Sequence, residues 1–229
     1  MSEIPSGAKA RLLFAYINNQ AIRFNKAEID MGNTLYQFLL RNKIVDTGSN
    51  RKEIHTQVEN ISASNINLGV WGETGTHKYA RQKSMKIAKE VSFWTEKDPT
   101  QATLWQPTMT LSDDYMAALQ HHKVPINYQI LVNLQTNPRA MDLYTWLTYR
   151  VNSVKAPVSI PWESLYQVFG ASVSELKYFK RDFKEALNKA LPYVKNLEIE
   201  MDSKHLKLIN TSRKFVSIIL PQEIRTTIA

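Results

Sequence analysis

Ser174-Glu175-Leu176-Lys177-Tyr178-Phe179-Lys180-Arg181-Asp182-Phe183-Lys184-Glu185-Ala186-Leu187-Asn188-Lys189-Ala190-Leu191 sorts its residues by chemistry around a helix. At about 100° per residue, Leu176, Phe179, Phe183, Ala186, Leu187 and Ala190 fall in one arc of roughly 100°. Lys177, Lys180, Arg181, Lys184 and Asn188 occupy the adjoining arc, and Glu175, Asp182 and Glu185 the remaining side. Ser174 stands at the N-cap and Pro192 ends the run. One face is built for a core and the next is cationic. A solvated face with Glu–Lys pairs is the plainer alternative, but it would interleave the two signs, and here they are segregated.

Working outward, Leu197, Ile199 and Met201 alternate with Glu198, Glu200 and Asp202, and a turn at Ser203 leads to Leu206 and Leu208. That is a hairpin, with Glu198 and Glu200 facing Lys207 across it and the tip Ser203-Lys204 left free. Upstream, Pro138 opens a helix as its first residue, with the apolar stripe Ala140, Leu143, Tyr144, Leu147 and Val151. Ser159 to Trp162 reads as extended, and Glu163 to Phe169 as a helix stopped by Gly170. Before these, Ser112 caps a helix over 113–121, Val124 to Ile126 is extended, and 128–134 is a short helix.

The first half follows a similar order. Gly7 precedes a helix over 8–19, an extended piece spans 21–30, and Asn33 or Thr34 caps a helix over 35–41. A third helix, 50–62, carries the inner stripe Ile54, Val58 and Ile61. Ile66, Leu68 and Val70 then alternate with polar residues, Gly72 to Gly75 turns, and a second strand near 87–93 closes a hairpin. The residues predict an α+β fold of tandem winged-helix domains, each a helix-turn-helix plus a β-hairpin wing. Domain 1 spans 1–95, a linker containing Pro99 and Pro107 spans 96–110, and domain 2 spans 111–229.

Composition narrows the function. The chain has 229 residues, 43% of them hydrophobic, so it can bury a core, and it has no cysteine. Disulfide scaffolds, thiolate metal sites and cysteine nucleophiles are excluded. The absence of cysteine fits a reducing cytoplasm. The start, Met1-Ser2-Glu3-Ile4-Pro5, lacks the basic and apolar regions of a secretory leader, and no apolar run is long enough for a bilayer. The net charge is +8, with a pI near 9.5, which points to a polyanionic partner.

The candidate contacts follow from position. Lys177, Lys180, Arg181, Lys184 and Asn188 suit a DNA major groove, where lysine and arginine meet guanine edges or phosphates and asparagine pairs with adenine. In the third helix of the first half, Arg51 and His55 share an outward face with Ser62, beside Lys52 and Glu59. Residues 76–89 hold Lys78, Arg81, Lys83, Lys86 and Lys89 and no acid. Such a hairpin can track phosphates or be merely a solvated charge run. Lys204 is the second wing's contact.

With Pro5-Ser6-Gly7 and Ala10-Arg11-Leu12, then Met141-Asp142-Leu143-Tyr144-Thr145-Trp146-Leu147 with Tyr149-Arg150, then Trp162, Leu165 and Phe169-Gly170, and finally Phe179-Lys180-Arg181, Phe183 and Ala186-Leu187, the chain resembles the RepA C-terminal family of plasmid replication initiators. The resemblance runs from about residue 4 to 191. It implies winged-helix domains that bind repeated double-stranded sites at a replication origin. It further implies opening of an AT-rich region and recruitment of host replication proteins such as helicase, helicase loader and initiator. Within the motif, Tyr144 and Trp146 read as packing residues before stacking platforms. Arg150 meets either a phosphate or one of the acids Asp142 and Glu163.

The residues speak against an enzyme or a cofactor. His55, His77, His121, His122 and His205 lack metal-ligand spacing. Asp113-Asp114 sits where acids favour a helix dipole, so a nuclease site is the weaker reading. No Walker loop, dinucleotide fingerprint or nucleophile elbow occurs. Two further functions stay in view beside an initiator: a transcriptional repressor that uses the same helices as a homodimer, and a DNA-nicking enzyme.

Overall fold

The computed structural model describes residues 3–32, 34–74, 77–92, 107–171 and 173–213. The chain divides into two compact units, Met1–Lys123 with Asn127–Thr136, and Val124–Ile126 with Asn137–Ala229. Both combine helices with small antiparallel sheets.

In the first unit, α1 (Gly7–Phe24), β1 (Glu28–Asp30), α2 (Leu35–Arg41) and α3 (Gly48–Ala63) come first. Gly7 enters α1 at φ 76°, a left-handed backbone that a side chain would strain. Thr34 and Thr47 cap α2 and α3, their hydroxyls accepting from the N–H of Gln37 and Asn50. Each cap satisfies a helix N–H that lacks an intrahelical partner. Ile54, Val58 and Ile61 on α3 are buried with Leu12, Leu13 and Ile17 on α1. Then come β2 (Asn65–Thr74), β3 (His77–Lys86), β4 (Ala88–Val91), β5 (Thr108–Leu111), α4 (Asp113–His121) and α5 (Tyr128–Leu134). The sheet order is β1-β5-β4, and β2-β3 stand apart as a two-stranded ribbon.

Several expectations change here. Ile66 pairs with Met85, not with the stretch near 87–93, and β4 pairs with β5 instead. Of the linker expected over 96–110, residues 96–106 lie outside the described residues, and 108–110 belong to β5, the middle strand of the sheet. The division between units falls at Lys123 to Asn137 rather than before residue 111. The physical reason is non-local bonding. Glu28 pairs with Thr110, the Tyr115 hydroxyl donates to Asn18 Oδ1 (3.0 Å), and Tyr128 donates to the buried Asn42. Gln135 Nε2 adds a bond to the Asn42 carbonyl (3.1 Å). These contacts hold α4 and α5 in the first unit. Helix α1 also runs on to Phe24, through part of the stretch read as extended.

The second unit holds α6 (Pro138–Ser153), β6 (Val158–Pro161), α7 (Trp162–Phe169), α8 (Leu176–Ala190), β7 (Leu197–Met201) and β8 (His205–Asn210), with sheet order β6-β8-β7. Pro138 takes the first turn of α6 and Asn137 caps it. Ser174 does not cap α8. Glu175 holds that position, and its side chain makes no cap bond. The core is aromatic: Phe183 meets Trp162 (5.6 Å between centroids), Phe179 (5.3 Å) and Phe169 (5.9 Å), and Trp146 meets Phe169 edge-on at 5.6 Å. Asn210 Nδ2 donates to the Val151 carbonyl (2.7 Å), tying β8 to the end of α6. Among the described residues no helix is long and apolar enough to cross a membrane.

Candidate nucleic-acid interface

Helix α8 buries Phe179, Phe183, Ala186, Leu187 and Ala190, each at 1% exposure or less. Packing that arc turns the next one outward. Lys177, Arg181, Lys184 and Asn188 are exposed and Lys180 is half-buried. An open concavity of about 610 Å³ is lined by Leu176, Lys177, Lys180, Arg181 and Lys184, so every charged group on its wall is a cation.

The cations are supported from below. The Lys180 and Lys184 ammoniums lie 5.6 and 5.8 Å from the centre of the Trp162 ring. That ring is fully buried, and cation–π attraction strengthens where water is excluded. Lys180 Nζ also donates to the Ser203 carbonyl (2.9 Å), and Trp162 Nε1 to the Asp202 carbonyl (3.0 Å). Helix α8, the first residue of α7 and the β7–β8 turn are therefore joined through one side chain. Inside the turn, the Asp202 carboxylate accepts from the backbone N–H groups of Lys204 and His205, which hold its pKa below the usual range. Lys204 is exposed at the tip. Behind it, Glu200 stands opposite Lys207 and pairs with it at 2.8 Å. Glu198 stands opposite Ile209 instead.

Acids are not wholly absent from this face. Asp182 receives Arg181 (2.9 Å) from its own helix and Arg139 (3.5 Å) from α6. Arg181 still keeps 72% of its side chain exposed and stacks by the Tyr178 ring at 5.6 Å.

The candidates of the first unit are less gathered. Arg51 forms a two-pronged pair with Asp46 in the loop before α3, which lowers the Asp46 pKa, chiefly through the hydrogen bond. Lys52 is exposed and His55 half-buried. Two polar residues of α3 escaped the sequence reading. Gln57 and Asn60, both buried, accept from the backbone N–H of Ser6 (3.1 Å) and Glu3 (2.9 Å), fastening the N-terminal segment to the helix. A stripe analysis ranks them as surface because they are polar.

On the ribbon, Lys78 stands opposite Glu73, Arg81 opposite Val70 and Lys83 opposite Leu68. Lys83 pairs with Asp114 (2.8 Å) and Lys89 with Asp113 (2.7 Å). Asp114 at the start of α4 thus holds the base of the ribbon, and Asp113 ties the same helix to β4. A second concavity, about 770 Å³, mixes Lys26 and Arg41 with Glu28 and Asp30, a lining of both signs that does not suit a polyanion. Arg150 packs over the Trp146 ring at 5.7 Å, with its Nε buried and without a hydrogen-bond partner. Among the described residues, no three His, Cys, Asp or Glu groups gather to hold a metal ion.

Residues 4–162 match the family described as plasmid encoded RepA protein. The chain belongs to this family, one of plasmid replication initiators. Two solved structures share its fold. A crystal structure of RctB domains 2-3 is 13% identical, with a TM-score of 0.52 over 92% of this chain and 83% of that one. A selenomethionine derivative of RctB domains 2 and 3 is 12% identical, with a TM-score of 0.58 over 91% and 84%. No curated protein sequence matches the chain.

Proposed function

We propose that this initiator binds repeated double-stranded sites at its replication origin through two winged helices, with α8 as a reading helix in the major groove. The observation that carries the proposal is the cationic wall of α8 held over Trp162. The strand order supports the winged-helix reading. In each unit the strand after the first helix pairs with the last strand of the sheet, which pairs in turn with the one before it, giving β1-β5-β4 and β6-β8-β7. In that arrangement α3 and α8 are equivalent helices, and the β7–β8 turn is a wing. Lys177, Lys180, Lys184 and Lys204 contact phosphates or guanine edges, Arg181 reads from the exposed side, and Asn188 pairs with adenine. Lys52 and His55 serve the first unit, with Arg51 steadied by Asp46.

Membership of the family supports the consequences: opening of the DNA beside the repeats and engagement of host helicase, helicase loader and initiator. The protein acts by binding rather than by bond-breaking chemistry. Fluorescence anisotropy tests the reading, with origin DNA against scrambled DNA over a range of salt. Origin repeats are expected to bind on the order of 10³-fold more tightly, with a steep salt dependence. Lys177→Ala, Arg181→Ala and Lys184→Ala together are expected to abolish that advantage. Equal weak binding to both DNAs, unchanged in the triple variant, overturns the reading.

A further inference from the structure

We infer that the β2–β3 ribbon is an arm, added to a framework the second unit has without it, and that it lies along the DNA backbone beyond the contacts of the helices. The inference rests on the proposed DNA-binding reading and extends it to a separate surface.

Topology is the first ground. In the second unit the chain passes from α8 through one short turn, Leu191–Tyr193, directly into β7. In the first unit, the ribbon stands between α3 and β4, and the sheet order closes as though it were absent. The hairpin equivalent to β7–β8 is β4–β5, so the ribbon is not that unit's wing.

Anchorage is the second ground. The base of the ribbon is fixed to the unit. On β3 itself Met85 is buried and Lys83 pairs with Asp114, and immediately beyond it Ile87 is buried and Lys89 of β4 pairs with Asp113. Beyond Asn67 and Ser84, which are both exposed, seven further register pairs run out to Thr74 and His77. At about 3.4 Å per residue they reach roughly 24 Å, the length of about 7 base pairs.

Charge and backbone select the partner. Strand β3 carries Lys78, Arg81, Lys83 and Lys86, and β2 carries the single acid Glu73. Gly69 and Gly72 lie within the continuous ladder of β2, and glycine within a strand commonly marks where another backbone comes close. A cationic ribbon with small residues fits a phosphate backbone. An added protein strand would call for no excess of either sign.

Hydroxyl-radical footprinting on the origin DNA tests this with two variants of the whole chain. One lacks residues 69–72 and 79–82, four matched pairs, which preserves register at both ends. The other carries Lys78→Gln and Arg81→Gln. The shortened arm is expected to lose about four base pairs of protection on one flank. The charge variant is expected to lower the slope of log affinity against log salt by about 2. Footprint and slope both equal to those of the parent chain overturn the proposal. So does an intact footprint with a changed mass in sedimentation, which makes the arm a contact between copies. If the shortened chain does not fold, the charge variant decides alone. If the parent chain leaves no footprint on origin DNA, the DNA-binding reading fails and the arm proposal falls with it.

Discussion

Gly170 illustrates how closely the second unit is packed around its aromatic residues. It ends α7 at φ −98°, so backbone conformation does not require glycine there. Space does. A Cβ at this position would stand 2.4 Å from the Tyr166 carbonyl oxygen and 2.2 Å from its ring. Tyr166 cannot yield freely, because its hydroxyl donates to the Val173 carbonyl (2.7 Å) and its ring packs on Phe179. Gly170→Ala is therefore expected to cost about 1–3 kcal/mol, the range for overpacking, measured as a fall in the urea midpoint with the m-value unchanged. The sequence marks this glycine correctly as a helix stop. The reason for it lies in a clash that periodicity does not contain. At the same scale, Trp162 reads in sequence as one more apolar residue in a family motif. Its support of Lys180 and Lys184 needs α7 and α8 to be docked.

At the scale of the element, α8 was legible because its period is local. The buried and exposed arcs drawn at a helical period agree with the burial of Phe179, Phe183, Ala186, Leu187 and Ala190. Phe183 touches three other rings, so Phe183→Ala is expected to destabilise the unit by about 3–5 kcal/mol, read by chemical unfolding. The β2–β3 ribbon was half legible. The alternation at Ile66, Leu68 and Val70 marks a strand, but a period of two does not say which strand pairs with it. Met85 rather than the next apolar run is the partner of Ile66 because Thr74 pairs with His77, and that pair fixes the register of every pair behind it. The charges of this element were also legible as a group, but not their division. Lys83 is engaged by Asp114, and Lys89, read from sequence with the same hairpin, lies on β4 and is engaged by Asp113; sequence reasoning explains both acids by the helix dipole alone.

At the scale of the whole molecule, the first unit buries the phenols of Tyr16 and Tyr115 and half-buries that of Tyr128. Burial raises the pKa of Tyr16, Tyr115 and Tyr128 above 10.0. The sign follows from linkage. Below pH 10 these groups are neutral in both folded and unfolded chains, and their full contribution to stability is present. As pH rises through 10 toward the folded values, the unfolded chain ionises first and stability falls. The urea midpoint is expected to drop between pH 10 and 12, and to drop less in Tyr115→Phe. A pH-independent midpoint, or an equal drop in both chains, runs against this.

Composition, local period and capping chemistry are enough to determine a basic, cysteine-free α+β chain, the position of most helices, the inward and outward faces of α8, and the family motif. Each depends on residues within a few positions of one another. Tertiary structure alone decides that Thr108–Leu111 is the centre of a sheet, that α4 and α5 close the first unit, and that Asp182 is shared by two arginines. It alone joins Lys180, Trp162 and the Ser203 turn. These depend on hydrogen bonds and packing between residues as far as 97 positions apart, and no pattern within a short window of sequence carries that pairing.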